Sequence, residues 1–165
     1  MNDYLSIFNV DNFVNHKNNF INLMKEMPPN KFDDISHTDW NLPKTVKRTY
    51  IDYFLKNIFN DYAKYFCNFF KIDQIEITNI WFQIYKKGDF HSLHTHKHAH
   101  FTNVFFINLP HKNLKTKIYS LNKQELNFEV KEGTIISFPA FYKHESLKNN
   151  YEEEKIIIAF NTNVE

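Results

Sequence analysis

The sequence predicts an α+β chain that is mainly β, a jelly-roll-like barrel with two helices packed on one side. Apolar residues recur at helical spacing up to residue 70, and the spacing changes to a period of two from residue 75. Turn-forming segments separate the short β stretches. Helices followed by a run of strands are the order expected when helices cover one face of a sheet. We therefore expect a single domain over residues 1–165, with a helical part at 1–72 and a β-barrel core at 75–161.

Two amphipathic helices are predicted in the first part of the chain. The first runs from about Asp11, a plausible N-cap, to about Met27, where two prolines end it. The segment up to Pro43 shows no clear period and is expected to be a loop. The second helix runs from about Val46 to Phe70, and its wide aromatic face favours packing across a sheet. A short leading strand is expected at residues 4–10.

Eight strands are predicted after the helices, at residues 75–86, 89–96, 101–109, 115–121, 126–130, 134–138, 142–147 and 154–161. The chain has only two glycines, Gly88 and Gly133, and each comes directly before a strand. A chain so poor in glycine is expected to keep it where the backbone needs a positive φ or a close approach. Ordinary hairpin turns explain both positions equally well.

Composition narrows the classes of function. The net charge is +1 with acids and bases interspersed, which argues against a nucleic-acid or anionic-membrane surface. No apolar run approaches the roughly 20 residues of a membrane-spanning helix. Cys67 is the only cysteine, which excludes an internal disulfide and a thiolate zinc cluster. We expect a cytoplasmic protein, in a bacterial cell or a phage-infected host.

Three histidines form the candidate metal site. His94 and His96 end a predicted strand, and alternate residues of a strand point to the same face. His144 follows about fifty residues later, between two apolar runs. Three protein ligands leave coordination positions free for substrate and oxygen, which is typical of a catalytic metal site.

Other histidines surround this motif. His98 and His100 continue the alternation, so the whole run could instead be a solvated loop with incidental metal affinity. We interpret His98 and His100 as loop or supporting groups. His91 has the strand parity opposite to that of His94 and is expected to face away.

A lysine begins the last strand. Parity places Lys155, Ile157, Ala159 and Asn161 on one face, so a cation would stand near the histidines and could hold a carboxylate. The alternative is a solvated strand end, since three glutamates precede Lys155. Tyr85 lies on the face of the first long strand shared with Trp81 and Gln83, where it would line a pocket or belong to the core.

Together these motifs resemble those of 2-oxoglutarate- and Fe(II)-dependent oxygenases, in particular a small bacterial and phage branch. Asp39-Trp40 and Pro43 are weakly similar as well. The resemblance extends over about residues 80–161 and is carried by Trp81…Tyr85…Gly88…His94-x-His96, Val104–Pro110, Glu132–Pro139 with His144, and Glu154–Asn161.

This resemblance implies a double-stranded β-helix that holds Fe(II) through His94, His96 and His144. It also implies 2-oxoglutarate as a cosubstrate and O2 as the oxidant, with succinate and CO2 as products and hydroxylation as the usual outcome. The cosubstrate-binding residues are then expected to be Lys155, Tyr85 and Asn161.

Two residues depart from the usual pattern of these oxygenases. His96 stands where most members carry Asp or Glu, and Lys155 stands where Arg usually binds 2-oxoglutarate. The only arginine, Arg48, lies far upstream and is not an obvious replacement.

The substrate, a small molecule or a peptidyl group, is not specified by the sequence. A homodimer is compatible with the barrel edge and the aromatic helix. Two alternatives stay open: a cupin-like three-histidine dioxygenase that does not use 2-oxoglutarate, and a non-catalytic metal-binding jelly-roll module.

Overall fold

The computed structural model describes residues 4–32 and 35–165. The two predicted helical segments are present. Helix α1 spans Val14–Lys25; helix α2, Thr49–Phe54, continues through a π-helical stretch, Leu55–Phe59, into helix α3, Asn60–Phe70. No helix in the described residues combines the length and apolar character needed to cross a bilayer.

The predicted N-cap of the first helix is wrong. Helix α1 begins at Val14, after Phe13, rather than at Asp11. Asn12 has a positive φ of 51°, which breaks the helical backbone directly before the helix begins. Phe13 is buried against the sheet, so tertiary packing sets the start of the helix.

The described residues form two antiparallel sheets. The large sheet has the order β1-β8-β6-β10-β4-β3-β2, and the small sheet has the order β5-β9-β7. The strands are β1 Ser6–Asn9, β2 Lys31–Phe32, β3 Ser36–Thr38, β4 Ile75–Tyr85, β5 His91–His94, β6 Phe101–Asn108, β7 Lys117–Tyr119, β8 Thr134–Pro139, β9 Lys143–Ser146 and β10 Lys155–Val164. The chain is therefore mainly β with helices, as the sequence predicts.

Two segments differ from prediction. The expected loop before Pro43 contains β2 and β3, because β3 pairs with β4 at the edge of the large sheet, with His37 opposite Ile84. A period cannot be recognised in two or three residues, so sequence pattern misses such strands. The predicted strand at 126–130 is absent. Leu126 and Phe128 are buried in alternation as expected, and the Leu126 backbone N–H donates to the Ile118 carbonyl at 2.8 Å, but no ladder forms over these residues.

The core lies on both faces of the large sheet. One cluster lies between this sheet and the helices, and includes Phe82 and Ile84 of β4. The second cluster lies on the opposite face, where Trp81 and Tyr85 pack with residues of the small sheet such as Ile118. The period-two alternation in β4 thus separates a helix-covered face from a face that looks toward the small sheet and the histidines.

Candidate metal centre

The small sheet and the segment after it bring the three histidines together. His94 of β5 lies opposite His144 of β9 in the strand register. His96 follows β5, and its backbone N–H donates to the carbonyl of Ala140 at 3.0 Å. One ring nitrogen of each histidine lies within 4.8 Å of the others, and His96 Nε2 is 3.2 Å from His144 Nε2.

The distance between His96 Nε2 and His144 Nε2 fits two ligands of one metal ion. Metal–imidazole bonds of about 2.1 Å put two ligand nitrogens about 3.0 to 3.4 Å apart in octahedral or tetrahedral coordination. The Nδ1 atoms of two rings are occupied on their far sides: His94 Nδ1 lies 2.7 Å from the carbonyl of Ser92, and His144 Nδ1 lies 3.0 Å from that of Tyr142. A carbonyl only accepts, so each Nδ1 carries the proton and each Nε2 lone pair is free for a metal.

The three imidazoles are neutral in the folded protein. Burial lowers the pKa of His94 below its usual range, and burial together with the neighbouring His94 lowers the pKa of His96 to about 4. Burial, assisted by the neighbouring histidines, holds the pKa of His144 well below 6.5. Neutral imidazole is the form that binds metals, so the site needs no proton release to accept one.

A buried lysine contacts two residues that line the same cavity as the histidines, Ser146 and Tyr85. Lys155 is fully buried, and its Nζ donates to Ser146 Oγ at 2.8 Å and lies 5.2 Å from the ring centre of Tyr85. Its ammonium group forms no ion pair with any carboxylate in residues 4–32 and 35–165, and burial lowers its pKa to about 7. The Tyr85 hydroxyl donates to Gln83 Oε1 at 2.8 Å. Lys155 is buried rather than solvated, so the alternative of a solvated strand end is wrong.

Comparison with protein-family models and with curated proteins finds no match. Solved structures are similar over nearly the whole chain. An oxidoreductase of the 2OG-Fe(II) oxygenase family from Burkholderia pseudomallei has a TM-score of 0.75 at 13% identity, covering 98% of this chain and 85% of that one. A prolyl-4-hydroxylase from Pseudomonas putida has a TM-score of 0.64 at 16% identity, covering 96% and 92%.

A third similar structure is the viral collagen prolyl hydroxylase of Paramecium Bursaria Chlorella virus-1, solved as a 2OG complex. Its TM-score is 0.59 at 19% identity, and the match covers 96% of this chain and 95% of that one. The chain has the fold of the 2-oxoglutarate- and Fe(II)-dependent oxygenases. The predicted mainly β architecture, with helices and antiparallel sheets, is thereby confirmed, and the histidine triad fits this fold.

Within this oxygenase fold, His91 is placed differently from the prediction. Its ring stacks on that of His94, with ring centres 3.9 Å apart and planes 15° apart, and it lines the same cavity. The expectation that His91 faces away is wrong because the β5–β9 register shifts between His91 and His94. A β-bulge adds one residue and so reverses the parity. Burial, followed by the nearby histidines and Lys155, lowers the pKa of His91 to about 3.

The remaining histidines of the run stay outside the cavity. His98 is exposed with a φ of 62°, and the exposed His100 accepts a hydrogen bond from the backbone N–H of Val164 at Nδ1. Asn161 lies behind the triad: its Nδ2 is 3.3 Å from His96 Nδ1, and its Oδ1 accepts from Thr102 Oγ1 at 3.1 Å. The Asn161 amide thus contacts a candidate ligand and is absent from the side chains that line the cavity.

A buried carboxylate beside the site has no counterpart in the predicted set. Asp39 is 1% exposed and accepts from Arg48 Nε at 2.8 Å, from the Tyr50 hydroxyl at 2.6 Å and from the Phe82 backbone N–H at 3.0 Å. The only arginine of the chain is therefore committed to this network. The sequence signal for this network was the weak similarity of the Asp39-Trp40 pair to the oxygenase motifs, which did not predict the partners of Asp39.

The Asp39 network positions an aromatic residue near the metal site. Trp40 follows directly, is 45% exposed, and meets Trp81 edge-to-face with ring centres 4.7 Å apart. Trp81 in turn packs against His96, with ring centres 5.5 Å apart. An exposed indole is thus connected to the candidate ligands through one intervening ring.

Proposed function

We propose that this chain is a non-haem Fe(II), 2-oxoglutarate-dependent oxygenase, most simply a hydroxylase that gives succinate and CO2. The two sheets would be the halves of a double-stranded β-helix, with the metal between them. One observation carries the proposal: three histidine rings converge in a cavity whose wall residue Ser146 accepts a hydrogen bond from the buried Lys155. The histidines would bind the metal, and the lysine would bind an anionic cosubstrate.

The charge of the site favours a dianionic cosubstrate. The ligand set His94, His96 and His144 contains no carboxylate, so a divalent ion would keep its full positive charge. Lys155 adds a cation when it is protonated. 2-Oxoglutarate, with two carboxylates, would balance this charge, one carboxylate at the metal and the other at Lys155, with Tyr85 and Gln83 beside it.

Cosubstrate binding would require side chains to move. The cavity lined by the histidines has a volume of about 30 Å³, room for about one water molecule. His91 lines this cavity beside His94, and its Nδ1 lies at the long hydrogen-bond distance of 3.5 Å from Gln83 Nε2. We propose that His91 turns aside when 2-oxoglutarate enters.

Bound Fe(II) would supply the centre at which O2 is activated together with 2-oxoglutarate. The chain's own contribution would be to orient the ligands, exclude water and present the substrate. The exposed Trp40, which contacts His96 through the buried Trp81, offers an aromatic surface where a substrate ring or apolar side chain would pack. Prolyl peptides are the first substrates to test, because two similar structures are prolyl hydroxylases.

The test measures metal binding and turnover in matched variants. His144→Ala should weaken Fe(II) or Co(II) affinity by more than the roughly 10- to 100-fold lost with a supporting residue, because it removes a ligand. His98→Ala is the control, since His98 belongs to the same run but is exposed. Succinate formation from 2-oxoglutarate with Fe(II) and ascorbate should follow metal affinity in both variants.

Different outcomes would favour the alternatives. Oxygen uptake with a substrate but no succinate would favour the cupin-like dioxygenase. Equal metal affinity in the wild type, His144→Ala and His98→Ala would favour the non-catalytic module with incidental metal binding.

A further inference from the structure

The three candidate ligands differ in what stands behind them. The Nδ1 atoms of His94 and His144 face backbone carbonyls, which can only accept a hydrogen bond. His96 Nδ1 instead faces the side-chain amide of Asn161, at 3.3 Å. An amide can present either its oxygen or its NH2 group, so the proton on His96 is not fixed by its partner alone.

The other end of the Asn161 amide can also either donate or accept a hydrogen bond. Its partner is the hydroxyl of Thr102, at 3.1 Å, and a hydroxyl can donate or accept. Asn161 is 3% exposed and Thr102 is 1% exposed, so water cannot easily replace either bond. The chain Thr102–Asn161–His96 therefore has two hydrogen-bonding arrangements, related by a half-turn of the amide.

One arrangement suits the protein without metal. Thr102 donates to Asn161 Oδ1, Asn161 Nδ2 donates to His96 Nδ1, and the proton of His96 is on Nε2. That proton points to His144 Nε2 at 3.2 Å and makes a hydrogen bond between the two rings. In this arrangement His96 has no lone pair to offer a metal at Nε2.

The reversed arrangement suits a bound metal. The amide turns over, His96 Nδ1–H donates to Asn161 Oδ1, and Asn161 Nδ2 donates to Thr102 Oγ1. All three histidines then carry the proton on Nδ1, and all three Nε2 lone pairs face the centre.

We propose that Asn161 is a positioning residue for His96, and that the Asn161–Thr102 pair turns over when the metal binds. The inference rests on the metal centre of the proposed function, but not on the use of 2-oxoglutarate. It gives Asn161 a role at the ligand rather than at the cosubstrate.

The neighbouring Asn103 has an amide whose orientation is fixed by its hydrogen-bond partners. Asn103 accepts from the Tyr62 hydroxyl at 2.6 Å, while its Nδ2 donates to the carbonyl of Phe160 and lies 3.2 Å from Thr162 Oγ1. A backbone carbonyl cannot donate, so this amide cannot turn without losing a bond. Asn103 is buried like Asn161 but contacts no candidate ligand, which makes it the matched control.

The test compares Asn161→Asp, Asn161→Leu and Asn103→Asp for Co(II) affinity by competition with a chromophoric chelator. A carboxylate can only accept from His96 Nδ1–H, so Asn161→Asp should bind Co(II) at least as tightly as the wild type. Asn161→Leu removes the partner and should bind it about 10- to 100-fold more weakly. Asn103→Asp loses fixed donors, so it should lower the urea midpoint while Co(II) affinity in the folded protein stays near that of the wild type.

Nitrogen-15 NMR of the histidine rings gives a second readout that needs no variant. In the metal-free wild type, His96 should carry its proton on Nε2, and in the Zn(II)-bound protein on Nδ1. The proposal would be overturned if Asn161→Asp and Asn161→Leu weakened Co(II) affinity equally. It would also be overturned if His96 carried its proton on Nδ1 in the metal-free protein. Wild-type Co(II) binding that does not depend on His96 would instead overturn the metal centre itself, and absence of succinate formation would leave the inference standing.

Discussion

Replacing Lys155 by Met tests whether the protein keeps a buried cation for a ligand. The side chain is fully buried and its amine donates to one hydroxyl, that of Ser146. Met has a similar length and no charge. We expect Lys155→Met to make the metal-free protein more stable at neutral and acidic pH, and to abolish 2-oxoglutarate binding.

The size of the effect follows from the pKa of the amine. Burial places it at about 7 in the folded protein, below the ordinary value of 10.5. Between these values the unfolded chain binds more protons than the folded protein, so the free energy of unfolding rises with pH. At about 1.4 kcal/mol per pKa unit, this difference in pKa corresponds to about 5 kcal/mol. The free energy of unfolding is therefore higher by that amount above pH 10.5 than below pH 7.

The substitution should remove this pH dependence. At pH 6 Lys155→Met is relieved of about 5 kcal/mol and loses the hydrogen bond to Ser146, worth about 1 kcal/mol, for a net gain of about 4 kcal/mol. Urea unfolding monitored by tryptophan fluorescence at pH 6, 8 and 9.5, with a chelator present, measures both proteins. The reasoning fails if the variant is less stable at pH 6, or if the two proteins show the same slope between pH 7 and 9.5.

Three further substitutions test other parts of the structure. Asp39→Ala should lower the free energy of unfolding by about 3–5 kcal/mol in urea titrations, because it leaves the half-buried Arg48 guanidinium without its counter-ion and the Phe82 backbone N–H without its acceptor. Gly133→Ala should destabilise the fold more than Gly88→Ala in thermal unfolding: both have positive φ, but a Cβ at Gly133 would lie 2.6 Å from Phe13, whereas at Gly88 it meets nothing within 4 Å. His91→Ala should raise the affinity for 2-oxoglutarate in anaerobic calorimetry and change Co(II) affinity by less than about threefold, because it enlarges the cavity without removing a ligand; weaker 2-oxoglutarate binding would show that His91 holds the cosubstrate.

Most of the architecture could be predicted from the long segments in which apolar and polar residues alternate. In β4, the alternation of Trp81 and Tyr85 with Phe82 and Ile84 correctly separates the two faces of the large sheet. Both glycines have positive φ, as expected for a chain that contains only two. Alternation reports burial rather than pairing, however. The segment at 126–130 alternates correctly and still forms no strand, since strand formation also needs a partner backbone at hydrogen-bonding distance.

Strand parity gave the wrong orientation for His91, because the β5–β9 ladder is irregular there. His94 and His144 face each other across β5 and β9, so the distant histidine could be paired with the His-x-His motif from topology alone. His91 is three residues before His94, and simple parity places it on the other face. The bulge between them returns it to the cavity, and no residue type in the segment signals a bulge. The tautomer of His96 is equally invisible in sequence, because it depends on Asn161, sixty-five residues away.

The burial of Lys155 distinguishes it from the solvated strand end that its sequence context suggests. Three glutamates precede it, which in sequence makes it look like one member of a solvated charge cluster. In the structure Glu154 pairs with Lys25 at 2.8 Å and Glu152 pairs with Lys87, so two of these acids are drawn to other cations. Lys155 turns to the opposite side, into the apolar interior. A buried cation that costs about 5 kcal/mol, and that contacts a hydroxyl and an aromatic ring rather than a carboxylate, lowers the stability of the metal-free protein. An anion that enters the cavity and restores the charge of Lys155 would recover that cost as binding free energy, taking up a proton above pH 7 as it binds.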